Sequence, residues 1–221
     1  MEGELKSALE IYQEEKKKQE EELRKIKERI QGRMVLLFGE PFVGKSLFVL
    51  TISKLFQNST LLLIDRNYPE EFYKINPKLQ IKKIYYQDNL IDAVEELKEL
   101  PDQLIAIDSI TSLSSMFLTR SLSSPRAVNE FVNFSDKILR KLSLFPATKI
   151  IVAHERLKSF ETKEVEPRIN KVVLRHCDVV MRMFVEPVFD NKGVKVGEKR
   201  TIKIVQERKL PTKVEWYFGS E

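Results

Sequence analysis

The chain contains one cysteine, two histidines, seven glycines and nine prolines in 221 residues. A lone thiol, Cys177, excludes an internal disulfide framework, and His154 and His176 lack the spacing of a zinc site. Each of these three residues reads more simply as packing or surface than as chemistry, as does the single tryptophan, Trp216. So little glycine and proline excludes low-complexity and collagen-like sequence. No run approaches the roughly 20 apolar residues that a membrane span needs. The opening MEGELKSALE is charged where a secretory signal would be apolar. These absences lead us to expect a soluble, cytoplasmic, globular protein with no membrane partner.

What is present is enough for a sizeable core: 42% apolar residues against 32% charged. The 38 basic and 33 acidic side chains leave a net charge of +5. Its placement matters more than its size. Glu2 to Ile30 holds 8 basic and 9 acidic residues, whereas Lys192 to Lys213 holds 8 basic and 2 acidic. A late basic stripe suits a polyanion such as nucleic acid, and equally a solvated lysine-rich hairpin. High lysine and glutamate content is also the composition of thermophilic proteins.

Three stretches follow one another. From Glu4 to Gln31 the sequence is nearly all Glu, Lys, Gln, Leu and Ile. Leu5, Leu9, Tyr12, Lys16, Gln19, Leu23, Ile26 and Ile30 recur at alternating steps of four and three. That predicts a long amphipathic helix, either packed on the body or paired in a coiled coil, with Gly32 ending it. We therefore divide the chain into an N-terminal helix over 1–31 and a core over 32–221. The second stretch alternates strands at 34–38, 60–65, 81–86, 104–108 and 149–153 with helices at 45–56, 70–74, 92–100 and 128–144. Continuous apolar strands between helices predict an α/β fold with a mostly parallel sheet covered on both faces. In the third, 179–185, 200–205 and 214–218 read as antiparallel strands, with a turn around Asn191-Lys192-Gly193.

Between the first strand and helix stands Gly39-Glu40-Pro41-Phe42-Val43-Gly44-Lys45-Ser46, followed by Leu47. It matches G-x-x-x-x-G-K-[ST] in the required strand–loop–helix context. The glycines let main-chain N–H groups close on phosphate oxygens, and the following helix adds its positive end. Lys45 supplies a cation to the outer phosphates, and Ser46 offers a hydroxyl to Mg²⁺. Farther on, LIAIDSI ends an apolar strand on Asp108, which suits holding Mg²⁺ through water while Ser109 and Ser112 shape the turn. Together they predict ATP and Mg²⁺ as ligands.

This order of motifs resembles the RecA/RadA superfamily of P-loop ATPases, in its archaeal RadA-paralogue or KaiC-like branches, from Met34 to Phe218. GEPFVGKS looks like its Walker A and LIAIDSITSL like its Walker B. KIIVAHE looks like its sensor strand, and CDVVMRM, GEKRTIKIVQERKLP and VEWYF look like its closing antiparallel strands. The helical 1–31 segment matches neither the recombinase DNA-binding domain nor an F-x-x-A polymerisation motif. The resemblance implies a RecA-like fold, binding of ATP–Mg²⁺ and a role in DNA recombination or repair. Its partners would be single-stranded DNA and a RadA-type recombinase, with assembly into a homo-oligomer. A KaiC-like regulatory ATPase acting on proteins is the alternative it leaves open.

The family places a water-activating glutamate after the strand read here as TLLLID. Asn67 takes that place, in Asp65-Arg66-Asn67-Tyr68. An amide orients water but accepts no proton near neutral pH, and general-base assistance is worth about 10²–10⁴-fold. We therefore expect binding with weak turnover, with Glu70, Glu71 or Asp65 as alternative bases. Glu155 stands near the sensor position. Arg208 keeps half of a K-x-R motif, with Gln206 for its lysine, and would act on a neighbouring subunit's nucleotide. Two mobile loops, roughly 112–126 and 156–171, face DNA in the family. Here they carry Arg120, Arg126, Arg156, Lys158, Arg168 and Lys171, with Phe117 and Phe160 as stacking candidates. Binding through them would be non-specific and salt-sensitive.

Overall fold

A computed structural model of the chain describes residues 8–64, 67–120, 125–158, 165–169 and 171–208. The elements are α1 (Ala8–Ile30), β1 (Met34–Gly39), α2 (Lys45–Ser53), β2 (Asn58–Ile64), α3 (Glu70–Tyr73) and β3 (Gln80–Ile84). They continue with α4 (Gln87–Glu95), β4 (Gln103–Asp108), α5 (Ile110–Arg120), α6 (Pro125–Ser143) and β5 (Thr148–Leu157). The last are β6 (Val165–Pro167), α7 (Lys171–His176), β7 (Val179–Phe189) and β8 (Lys195–Glu207).

The sheet order is β3-β2-β4-β5-β1-β7-β8, with β6 paired to the far end of β5. β1 to β5 and β7 join in parallel; β8 returns antiparallel to β7. The strands are apolar at successive positions because both faces are covered. Leu36, Phe38, Leu62, Ile107 and Ile151 point to the side packed by α4, α5, α6 and α7. Val35, Leu37, Leu61, Leu63 and Val152 point to the side packed by α2 and the end of α1. This is the α/β architecture that the alternation predicts.

α1 is attached by its last turns. Ile30 is fully buried, Leu23 and Ile26 are half-buried, and Lys16 and Gln19 are exposed. Lys27 donates to the Leu55 carbonyl at 2.7 Å and to Asp102 at 2.8 Å. Gly32 ends the helix at φ +71°, as its type predicts. Leu5 and the side chains of Leu9 and Tyr12 lie outside the described residues, as do Asp65, Phe160 and the strand read at 214–218.

Three expectations need correction. The helix read at 92–100 runs from Gln87 to Glu95, since Leu90, Ala93 and Val94 supply its buried stripe. Of the loop expected at 112–126, the described residues 112–120 and 125–126 are helical, in α5 and the start of α6. Ser114 and Ser115 return their hydroxyls to the Thr111 carbonyl, so the serines are satisfied inside the helix. The segment 156–171 likewise includes the end of β5 and all of β6. Among the described residues no helix is long and apolar enough to cross a membrane.

Candidate nucleotide site

Parallel strands end together on one edge of the sheet, and β1 ends there in Gly39. A Cβ on Gly39 would sit 2.1 Å from the Met183 carbonyl oxygen of β7, so only glycine lets the two strands meet. The chain then turns through Glu40, Pro41 and a fully exposed Phe42 at φ +67°. Val43 is buried, and Gly44 caps α2 at φ +100°, a conformation that side chains resist. The loop delivers the first turn of α2, from Lys45 through Leu47, with main-chain N–H groups that no preceding helical carbonyl can meet. Those amides and the helix dipole form an anion-binding end.

Lys45 is 5% exposed and folds back on the loop, donating to the Gly39 carbonyl at 2.9 Å and the Glu40 carbonyl at 2.5 Å. Ser46 donates its hydroxyl to Asp108 Oδ2 at 2.6 Å, so two residues 62 positions apart meet where β1 and β4 end. Asp108 is fully buried, and its peptide bond to Ser109 is cis. The Ser109 and Ser112 hydroxyls lie 3.0 Å apart in the turn beyond.

A residue that the sequence did not single out completes this cluster. Tyr68, only 7% exposed, donates to the same Asp108 oxygen at 2.5 Å. Asn67 beside it is exposed. Alternation at the end of a strand is the only signal that could have distinguished them, and it is weak without neighbours on the sheet.

Glu155 is 5% exposed in its side chain and forms a two-pronged ion pair with Arg182, at 2.9 and 3.2 Å. The backbone N–H of His154 donates to the Thr111 hydroxyl at 3.0 Å. Arg208 sits at the other edge of the sheet. Its N–H donates to the Asp178 carbonyl and its own carbonyl accepts from Arg33, beside the start of β1. The length of β1, roughly 20 Å, therefore separates it from the glycine loop of its own chain.

Another arginine is near the loop instead. A Cβ built on Gly44 would lie 3.1 Å from Arg200 Nε and 3.2 Å from its Cδ.

Two of the proposed nucleic-acid side chains are ion-paired within the chain. Arg126 pairs with Glu130 at 2.9 Å within the first turns of α6, and Arg156 pairs with Glu166 at 2.7 Å across β5 and β6. Lys158, Arg168 and Lys171 are exposed. The Arg120 side chain lies outside the described residues. His176 bonds Asp136 at 2.8 Å, and burial pushes the Cys177 thiol up to about 12, so neither is poised for chemistry at the loop.

A family model for the AAA domain matches residues 31–215. The chain belongs to the AAA domain family. It is a P-loop nucleotide-binding ATPase domain, and the match starts just before β1. No curated protein matches the chain. Among the described residues no group of three or more His, Cys, Asp or Glu side chains forms a metal site on its own. A hydroxyl and a carboxylate 2.6 Å apart, by contrast, suit an Mg²⁺ ion whose shell is completed by phosphate oxygens and water. In this AAA domain Ser46 would be its direct ligand and Asp108 would hold it through water.

Proposed function

We propose that the protein binds ATP–Mg²⁺ between the 39–46 loop and Asp108, and turns it over slowly or only on assembly. The meeting of Ser46 with Asp108 at 2.6 Å, directly behind Lys45, carries this reading. Lys45 would exchange the two loop carbonyls for phosphate oxygens, a partner of opposite charge. The solvent-exposed Asn67, with no carboxylate at that position, supports slow hydrolysis.

The output we propose is modulation of DNA recombination or repair, in the manner of a RecA/RadA paralogue. The motif order and the excess of basic residues after Lys192 support it. Single-stranded DNA is the proposed ligand and a RadA-type recombinase the proposed partner. Arg208, distant from the loop in its own chain, would reach a nucleotide only in a neighbouring copy. A second reading, a KaiC-like regulatory ATPase acting on proteins, draws support from the exposed middle of α1 around Lys16 to Glu22.

Calorimetry of the full chain with ATP and Mg²⁺ tests the binding, with K45A expected to abolish measurable uptake. Anisotropy of a labelled oligonucleotide at low salt, with and without ATP–Mg²⁺, tests the DNA branch. Uptake of nucleotide without any oligonucleotide binding would leave the regulatory reading in its place.

A further inference from the structure

The hairpin of β7 and β8 passes over the glycine loop, and its register selects which side chain reaches it. Phe38 of β1 lies beside Arg182 of β7, and Val185 of β7 lies opposite Arg200 of β8. Arg200 therefore stands beyond the strand end, at the level of the loop. It shares its face of β8 with Ile202 and Ile204, which pack on the side covered by α2. This explains why its Nε and Cδ approach the Cβ direction of Gly44 to 3.1 and 3.2 Å.

Its electrostatic state differs from that of its neighbour. Arg182 is neutralised by Glu155 through two bonds. Among the described residues the Arg200 side chain has no hydrogen bond and no close ion pair, and Glu198, two residues away, meets it only through the longer-range attraction of opposite charges. Glu198 pairs with Lys195 at 2.8 Å instead. A guanidinium with no hydrogen-bonded carboxylate thus stands beside the residue that opens the anion-binding end of α2. Lys45 approaches from inside the loop; Arg200 approaches from the hairpin.

We propose that Arg200 is a second cationic ligand of the bound nucleotide's phosphate chain, supplied by the same chain as the loop. A guanidinium offers paired N–H donors to a phosphate, whereas the Lys45 ammonium acts as a point charge. The hairpin would then register whether the loop is filled. The proposal rests on the nucleotide reading of the 39–46 loop.

The test is competition of unlabelled ATP, ADP and AMP against a fluorescent ATP analogue in Mg²⁺, on the full chain. R200A is expected to weaken ATP and ADP by about tenfold each and to leave AMP nearly unchanged, because a charge-assisted contact to the outer phosphates is lost. R200K should restore part of the loss, and R200Q, of similar length without charge, should not. Melting of the nucleotide-free R200A and R200Q proteins should match wild type, because the side chain is exposed. Wild-type binding together with unchanged ATP affinity in R200A and R200Q overturns the role of Arg200 alone. Wild-type protein that takes up no nucleotide overturns the loop reading, and this proposal with it.

Discussion

The Tyr68 hydroxyl donates to Asp108 Oδ2 at 2.5 Å, at the same oxygen that accepts from Ser46. A fully buried carboxylate needs such donors, since an ionised group removed from water is costly unless hydrogen bonds compensate it. Tyr68 itself is seated by Phe72 and Tyr73, with ring centroids 5.6 and 6.3 Å away. The phenol therefore links α3 to the end of β4.

Y68F keeps the ring and deletes the donor. The nucleotide-free protein should lose about 1.5–3 kcal/mol, the range for a hydrogen bond to a charged group. Urea denaturation measures it. ATP–Mg²⁺ binding should survive, because Ser46 still meets Asp108. Unchanged stability would show that the phenol contributes nothing to holding Asp108.

Asn67 carries a different prediction. It is exposed and next to the site, so a longer acidic side chain has room to reach an attacking water. N67E should raise single-turnover hydrolysis at saturating ATP by at least tenfold, within the range general bases supply. Binding affinity should change little. Wild-type turnover that is already fast, or an N67E rate equal to it, would place the base elsewhere.

The parallel sheet and the glycine loop were legible because both are written in consecutive residues. MVLLF, TLLLID, LIAID and KIIVA are buried on two faces, and the loop motif sits between its strand and its helix. α5 was not legible: ITSLSSMFLTR is rich in serine, yet Leu113 and Phe117 are one turn apart and both buried. Arg200 was hidden by register. β7 and β8 slip between Val180 and Met181 and again between Val188 and Phe189, and a slip of one residue turns every later side chain to the other face. The sequence motif directed attention to Arg208, at the far edge of the sheet. The hairpin geometry brings Arg200 to the loop.

Glu207 joins the two ends of the described chain. It meets Arg29 of α1 and Arg33 at 2.5 Å each, and these guanidinium groups hold its carboxyl down at about 2. A depressed carboxylate stabilises the fold above its unfolded value of 4.5, and this contribution disappears as pH falls toward 2. E207Q should therefore melt lower than wild type at neutral pH. The two should converge between pH 4.5 and 2 as the native carboxylate protonates. Thermal scans across that interval measure it, and a constant gap between them would remove the Arg29–Glu207–Arg33 contact from the acid response.

Gly39 and Gly44 resist substitution for separate reasons, and this difference is testable. At Gly39 a methyl group would stand 2.1 Å from a backbone carbonyl of β7, which cannot move without parting two strands. G39A should cost about 3 kcal/mol, the upper end of ordinary overpacking. At Gly44 the nearest neighbour is the movable Arg200 side chain, but φ is +100°, so strain of about 1–2 kcal/mol comes from the backbone itself. Adding R200A should therefore leave the stability loss of G44A in place. Chemical denaturation of the three proteins measures both effects. Recovery of G44A by R200A would show that crowding against the guanidinium, and not the left-handed backbone, is what requires glycine there.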